Sequence, residues 1–159
     1  MRRSSKPDPQ DEAACRRLAL DLLARREHSR LELERKLAAR GFEDGAIGAA
    51  LDRLEAANAL STARFGESFV RSRVARGQGP ARIRAELEQR GVSGGAAAEL
   101  LAEAEVDWIA AAREARRKRF GPVPPADYTE RARQARFLER RGFDGAAIRA
   151  ALDLASDSD

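Results

Sequence analysis

Side chains able to do covalent or acid–base chemistry are scarce in this chain. His28 is the only histidine and Cys15 the only cysteine among 159 residues. No second imidazole or thiolate exists to share a metal, close a disulfide within the chain or pair as base with a nucleophile. His28 directly precedes Ser29, a candidate helix N-cap, and is expected to sit exposed at a helix junction. Cys15 stands three residues before Leu18 on an apolar face and is expected to pack as a small hydrophobe. Carboxylates are plentiful, but almost every one has an arginine three or four residues away, the spacing of surface ion pairs along a helix. Neither G-x-x-x-x-G-K-[ST] nor G-x-G-x-x-G occurs, and Gly77-Gln78-Gly79-Pro80 is too short for either phosphate loop. No catalytic residue, metal or cofactor is expected, and the sequence argues against an enzyme.

Positive charge is what the chain does supply. From Arg64 to Arg90 there are seven arginines against three glutamates, a local balance equal to the +4 of the whole chain. Arg71, Arg73, Arg76, Arg82 and Arg84 form one candidate contact set. Arg113, Arg116, Arg117, Lys118 and Arg119 form a second, with Glu114 too little to offset it. The chemistry such sets perform is electrostatic capture of nucleic-acid phosphate or an acidic protein surface; the plain alternative is a solvated face. Trp108 is either a stacking platform for a base or a core residue, and beside Ile109 at a module boundary the core role is expected.

The elements that carry these residues read as helices. Aromatic residues are only 5% and charged residues 35%, so the core must be thin, aliphatic and made by helices approaching on alanine. Leu18, Leu22 and Leu23 mark a helix from about 13 to 26, and Ser29-Arg30-Leu31-Glu32 fits a capping box opening a second, lined by Leu33 and Leu37. A third carries Ile47, Ala50, Leu51 and Leu54. Phe65, Phe69 and Val70 give the next helix one apolar stripe; Gly79 and Pro80 then suit the N-cap and first residue of a helix through Ile83 and Leu87. Gly121-Pro122-Val123-Pro124-Pro125 is the longest irregular piece inside the array, and Asp127 with Glu130 offers a further N-cap.

The helix stops reveal a repeat. Arg40-Gly41-Phe42, Arg90-Gly91-Val92 and Arg141-Gly142-Phe143 lie 50 and 51 residues apart, with Leu37, Leu87 and Leu138 four before each glycine and Leu51, Leu101 and Leu152 ten after. The fold expected is all-α, a tandem array of three three-helix, helix-turn-helix-like repeats, elongated and curved. Its limits are 1–12, a flexible basic arm; 13–60, 61–105 and 106–154, the repeats; and 155–159, an acidic tail. A module burying four to six large side chains at ~1.5–3 kcal/mol each cannot offset ~1–2 kcal/mol of backbone entropy for each of about 50 residues, so modules must stack. The third departs from the pattern: its second helix lacks a counterpart of Leu33 or Ile83. The second helices also hold almost no Asn, Gln, Ser or Thr, so base-specific reading in the helix-turn-helix manner is not expected.

These motifs resemble the bacterial RecX family of RecA regulators. The likeness runs from about Ala14 to Leu152 and is strongest in LARREHSRLELERKLAARGF (Leu23 to Phe42), in Arg64-Phe65 through Phe69-Val70-Arg71, Gly79-Pro80 and Ile83 to Arg90-Gly91-Val92, and in Phe137-Leu138 through Arg141-Gly142-Phe143 with Ile148. The resemblance implies a cytoplasmic protein of tandem three-helix repeats that lies in the groove of the RecA–DNA filament and inhibits RecA strand exchange, ATP hydrolysis and coprotease activity, modulating DNA repair and recombination. It implies RecA and single- and double-stranded DNA, bound without sequence preference, as partners, no catalytic residues, and no membrane or small-molecule partner. A cytoplasmic location also fits a single cysteine and an N-terminus, MRRSSKPDPQ, without an apolar run. Two rivals remain open at this point, a stand-alone non-specific DNA-binding helical protein and a helical adaptor indifferent to both DNA and RecA.

Overall fold

The computed structural model describes residues 5–153. Among them are nine helices and no strand: α1 (Glu12–Arg25), α2 (Arg30–Ala39), α3 (Asp44–Ala56), α4 (Thr62–Ala75), α5 (Pro80–Gln89), α6 (Gly94–Glu103), α7 (Trp108–Phe120), α8 (Tyr128–Arg140) and α9 (Gly145–Leu152). The expected acidic tail, 155–159, lies outside the described residues, as do residues 1–4 of the expected mobile arm. Within the remainder of that arm the Asp11 N–H donates to the Asp8 carbonyl at 3.0 Å, and the Pro9 carbonyl accepts the Glu43 N–H at 2.8 Å. The second of these bonds ties Pro9 to the N-cap residue of α3.

The chain divides into two compact units, one of Met1–Ser68 with Arg90–Val92, the other of Phe69–Gln89 with Ser93–Asp159. In the first, α1 lies against α3 and α2 against both. Leu33 and Leu37 of α2 and Ile47, Ala50, Leu51 and Leu54 of α3 are buried. Leu18, Leu22 and Leu23 of α1 only flank this core; its deepest α1 residues are the small Cys15 and Ala19, as close helix approach requires. Burial raises the Cys15 thiol above its ordinary range, with Glu12 adding to it, which keeps it a protonated packing group. Arg30 ties α2 to α3 through Asp52 at 2.8 Å and Glu55 at 3.1 Å. The Ser29 hydroxyl accepts the Glu32 N–H at 3.1 Å, whereas the Glu32 carboxylate turns to Arg26 at 2.7 Å rather than back to close the capping box.

His28 is not exposed at its junction; it is 1% accessible. Its Nδ1–H donates to the Arg26 carbonyl at 3.0 Å, leaving Nε2 to accept from the Lys36 ammonium at 2.9 Å, because an ammonium can only donate. Burial holds the imidazole below its ordinary range, against the pull of the Arg26 carbonyl and with help from the Arg26 and Lys36 charges. Fifty residues on, Gln78 is buried in the corresponding place.

Helix ends are where the repeats are built. After α2 the Gly41 N–H donates to the Ala38 carbonyl and the Phe42 N–H to the Leu37 carbonyl; after α8 Gly142 and Phe143 bond Glu139 and Leu138 in the same way. Each glycine has φ +97°, the left-handed stop that glycine reaches without strain. The stop at Gly91 sits in the first unit because it packs on the first turn of α2: a Cβ there would lie 2.7 Å from the Leu31 Cβ. In the second unit the stop at Gly142 packs on the first turn of α5, where a Cβ would lie 2.5 Å from the Arg82 nitrogen. There the Gly79 N–H donates to the Arg141 carbonyl at 2.7 Å and the Ala81 N–H to the Gly142 carbonyl at 3.1 Å. A Cβ on Gly79 would collide with the Gly142 carbonyl and the Phe143 nitrogen.

In the second unit α5 packs on α6, while α7, α8 and α9 pack on one another. Leu138, Phe143, Ala147 and Ala151 are buried with Ala112 and Ala115, and Trp108 packs partly buried against them, in the expected core role. The position that Leu33 and Ile83 fill in the first two modules is taken by Gln134, 3% exposed.

Gly79→Ala is expected to lower stability by about 1–3 kcal/mol through overpacking of this joint, whereas Gly48→Ala, whose Cβ would meet nothing within 4 Å in α3, should raise it by about 0.5–1 kcal/mol; urea melts of both check this. The buried His28 also gives stability a pH dependence. The folded chain binds its proton less readily than the unfolded chain, whose imidazole titrates near ~6.5, so stability is full above that value and falls as pH drops below it. His28→Gln, the residue at the equivalent position 78, should flatten melting temperature between about pH 7 and 5 relative to wild type.

Candidate functional site

The ten basic residues singled out above serve three different purposes. Arg71, Arg76 and Arg119 are exposed and have no carboxylate partner among the described residues; the Arg119 guanidinium lies 5.2 Å over the Phe120 ring. Arg82 and Arg84 are exposed and pair one helical turn on with Glu86 and Glu88, each at 3.4 Å. Arg117 and Lys118 share Glu114 at 2.8 and 3.8 Å. The bond from Arg117 holds the Glu114 carboxyl below its usual range. Exposed pairs of this kind are screened by water and salt and contribute little, so a bound anion can replace their partners.

Arg73 is drawn into the structure. Its guanidinium covers the Phe69 ring at 4.6 Å and pairs with Glu86 at 3.2 Å, with 17% of the side chain exposed. Arg113 is half-buried along α7. Arg116 departs furthest from the sequence expectation. It is 2% exposed, not a surface contact. Its Nε donates to Gln134 Oε1 at 2.9 Å, and its Nη atoms donate to the Gly121 and Val123 carbonyls of the proline-rich connector. The Gln134 amide passes the chain on to Glu130 at 3.1 Å. A buried guanidinium needs such partners, and they explain how the third module tolerates a polar residue where the others place Leu33 and Ile83. The connector between α7 and α8 is longer than those between α1 and α2 or α4 and α5, and Arg116 is its internal anchor.

The two candidate sets meet in the second unit. Ala75 at the end of α4 and Arg76 just after it, Lys118 and Arg119 of α7, and Phe137 of α8 with its C-cap Arg141 surround a cleft of about 380 Å³. Arg141 was not among the sequence candidates because it belongs to the helix-stop motif. Its Nη1 donates to the Arg76 carbonyl at 2.9 Å and its guanidinium covers the Phe137 ring at 4.9 Å. Two directions of contact therefore hold it in place with its remaining N–H groups free. Among the described residues no cluster of His, Cys, Asp or Glu could hold a metal ion, and no helix is long and apolar enough to cross a membrane.

Family models describing the first, second and third three-helix domains of RecX match residues 15–54, 63–101 and 105–152. A Regulatory protein RecX from Halorhodospira halophila is 53% identical over 146 residues, covering 92% of this chain and 91% of that one. Another from Pseudomonas entomophila is 53% identical over 130 residues, covering 82% and 84%. In fold, the crystal structure of RecX from Lactobacillus salivarius superposes with a TM-score of 0.76 at 20% identity, covering 92% of this chain and 97% of that one.

Replacing Arg116 by leucine strands the Gln134 amide oxygen and two connector carbonyls. Arg116→Leu is expected to lower stability by about 2–4 kcal/mol. Adding Gln134→Leu, which restores the side chain type of the other two modules, should recover a measurable part of that loss, as a double-mutant cycle in urea would show.

Proposed function

We propose, from the fact that this chain belongs to the RecX family of regulatory proteins, that it binds RecA and the groove of the RecA–DNA filament and inhibits RecA recombinase, ATPase and coprotease activity, modulating DNA repair and recombination in the cytoplasm. The regulatory role around RecA comes with the family; the mode of action is our reading. It acts by binding and not by catalysis, consistent with relatives named as regulatory proteins.

The observation that carries this reading is the gathering of both basic stretches at one cleft, with Arg76, Lys118 and Arg119 beside Arg141. A filament presents repeated phosphate and acidic protein surface along one groove. Arg76, Lys118 and Arg119, on the cleft, suit acidic protein surface; Arg71, with no carboxylate partner, suits phosphate capture, and the weakly paired Arg82, Arg84 and Arg117 extend that phosphate-binding set. Their targets are single- and double-stranded DNA without sequence preference.

Single-stranded-DNA-dependent ATP hydrolysis by RecA, titrated with this chain well below one per RecA, tests the reading. Inhibition at those ratios is expected. Inhibition only once the DNA itself is saturated would overturn it in favour of a stand-alone non-specific DNA-binding protein. If Arg71 neutralises one phosphate, Arg71→Gln should reduce the log–log salt slope of single-strand binding by about 0.7.

A further inference from the structure

We infer that the cleft between α4, α7 and α8 is the seat of an acidic protein segment, one that inserts a single large apolar side chain flanked by carboxylates, and that it is not a nucleic-acid site. The assignment rests on the reading above that this basic face is the working surface, and it divides that surface between two partners.

Charge complementarity fixes the sign of the occupant. Arg76, Lys118, Arg119 and Arg141 line the cleft against one acid, Glu114, whose carboxylate already accepts from Arg117 Nε and Nη2 at 3.0 and 2.8 Å. Arg141 is pre-positioned, stacked on Phe137 and bonded to the Arg76 carbonyl, so its free edge can take a carboxylate in two parallel bonds at little cost in side-chain freedom.

The floor separates protein from nucleic acid. Val74, Ala111 and Phe137 line it, and a phosphodiester has no apolar face to bury on them. A base stacks on an open aromatic face, whereas Arg141 covers one face of Phe137 and Phe120 packs against the ring in a T-shaped contact at 5.2 Å, so Phe137 offers apolar contact area more than a stacking platform. What remains is a concave apolar floor with a cationic rim, about 380 Å³ in volume. That is ample room for an aromatic or branched aliphatic side chain, with carboxylates reaching the rim.

A fluorescein-labelled peptide, DEDFDED, and a control with Ser in place of Phe are the probes, read by anisotropy beside a labelled single-stranded oligo-dT. The Phe peptide should bind at least about tenfold more tightly than the Ser control, the usual effect of losing a buried anchor. Ala75→Trp, at an exposed position on the cleft, should weaken peptide binding by about tenfold or more while oligo-dT binding changes much less; Lys118→Glu should weaken peptide binding as well. Equal binding of the two peptides, peptide binding unmoved by Ala75→Trp, or oligo-dT weakened as much as peptide would each overturn the assignment. RecA ATPase inhibition by the wild-type chain separates the two failures. Inhibition without peptide binding sinks the cleft assignment alone, and peptide binding without inhibition sinks the RecA reading alone.

Discussion

Two carbonyl oxygens on the first turn of α5 govern the geometry of the second unit. A helix that starts at Pro80 after Gly79 has no side chain to cap its free N–H groups. The Arg141 and Gly142 carbonyls take that role, bonding the Gly79 and Ala81 N–H groups. Backbone can approach backbone so closely only if both sides lack a Cβ, and both are glycine. The same contact carries Arg141 to the end of α4, where its guanidinium reaches the Arg76 carbonyl. The cleft is thus a by-product of how modules are joined: the stop that ends α8 also sets one wall of the basic surface. In the first unit the Gly91 stop lies on the first turn of α2, but there Ser29 supplies its own hydroxyl cap, so the joint tolerates a side chain at the N-cap.

Arginine in this chain both holds the fold and presents charge, and the environment decides which. Arg116 and Arg117 are neighbours, yet one is 2% exposed and bonded to Gln134 and the connector while the other lies in solvent against Glu114. A helix turns 100° per residue, so four consecutive cations cannot share a face. One of them must point toward α8, and Gln134 is there to receive it. Arg73, stacked on Phe69 and paired with Glu86, is the analogous case on α4. With so few aromatic and large aliphatic residues to spread over nine helices, such polar anchors extend what a thin core can hold.

The repeat was legible because it rests on spacing. Leu37, Leu87 and Leu138 recur at fixed distance from a helix-ending glycine, and all three have no exposed surface. The capping roles of Ser29 and Asp127 follow from local chemistry and are seen as N–H acceptors. What the sequence hid was partnership across long separations. His28 read as exposed because a lone histidine before an N-cap carries no burial signal, though Gln78 fifty residues on was a hint that this position takes a buried polar group. Arg116 read as surface because RRKR is uniform in charge; the available signal was Gln134 at a core register, a polar residue that requires a hydrogen-bonding partner. Arg141 was read only as the end of a helix, since its second role exists only once α4 lies beside it.

The distribution of carboxylates sets how selective the basic surface can be. Glu86, Glu88 and Glu114 each hold one or more of the exposed cations within one helical turn. Any partner must displace those local anions, and a sparse or singly charged ligand gains too little to do so in water, where such pairs and their replacements differ little. A ligand with many closely spaced charges exchanges several pairs at once, and the gain accumulates along its length. On the proposed reading, Arg71, Arg76 and Arg119, with no pair to break, would be the points of first contact, and the paired residues would close behind them. A surface built this way favours ordered arrays of anions over isolated ones, which is what the proposed binding role without sequence-reading side chains requires.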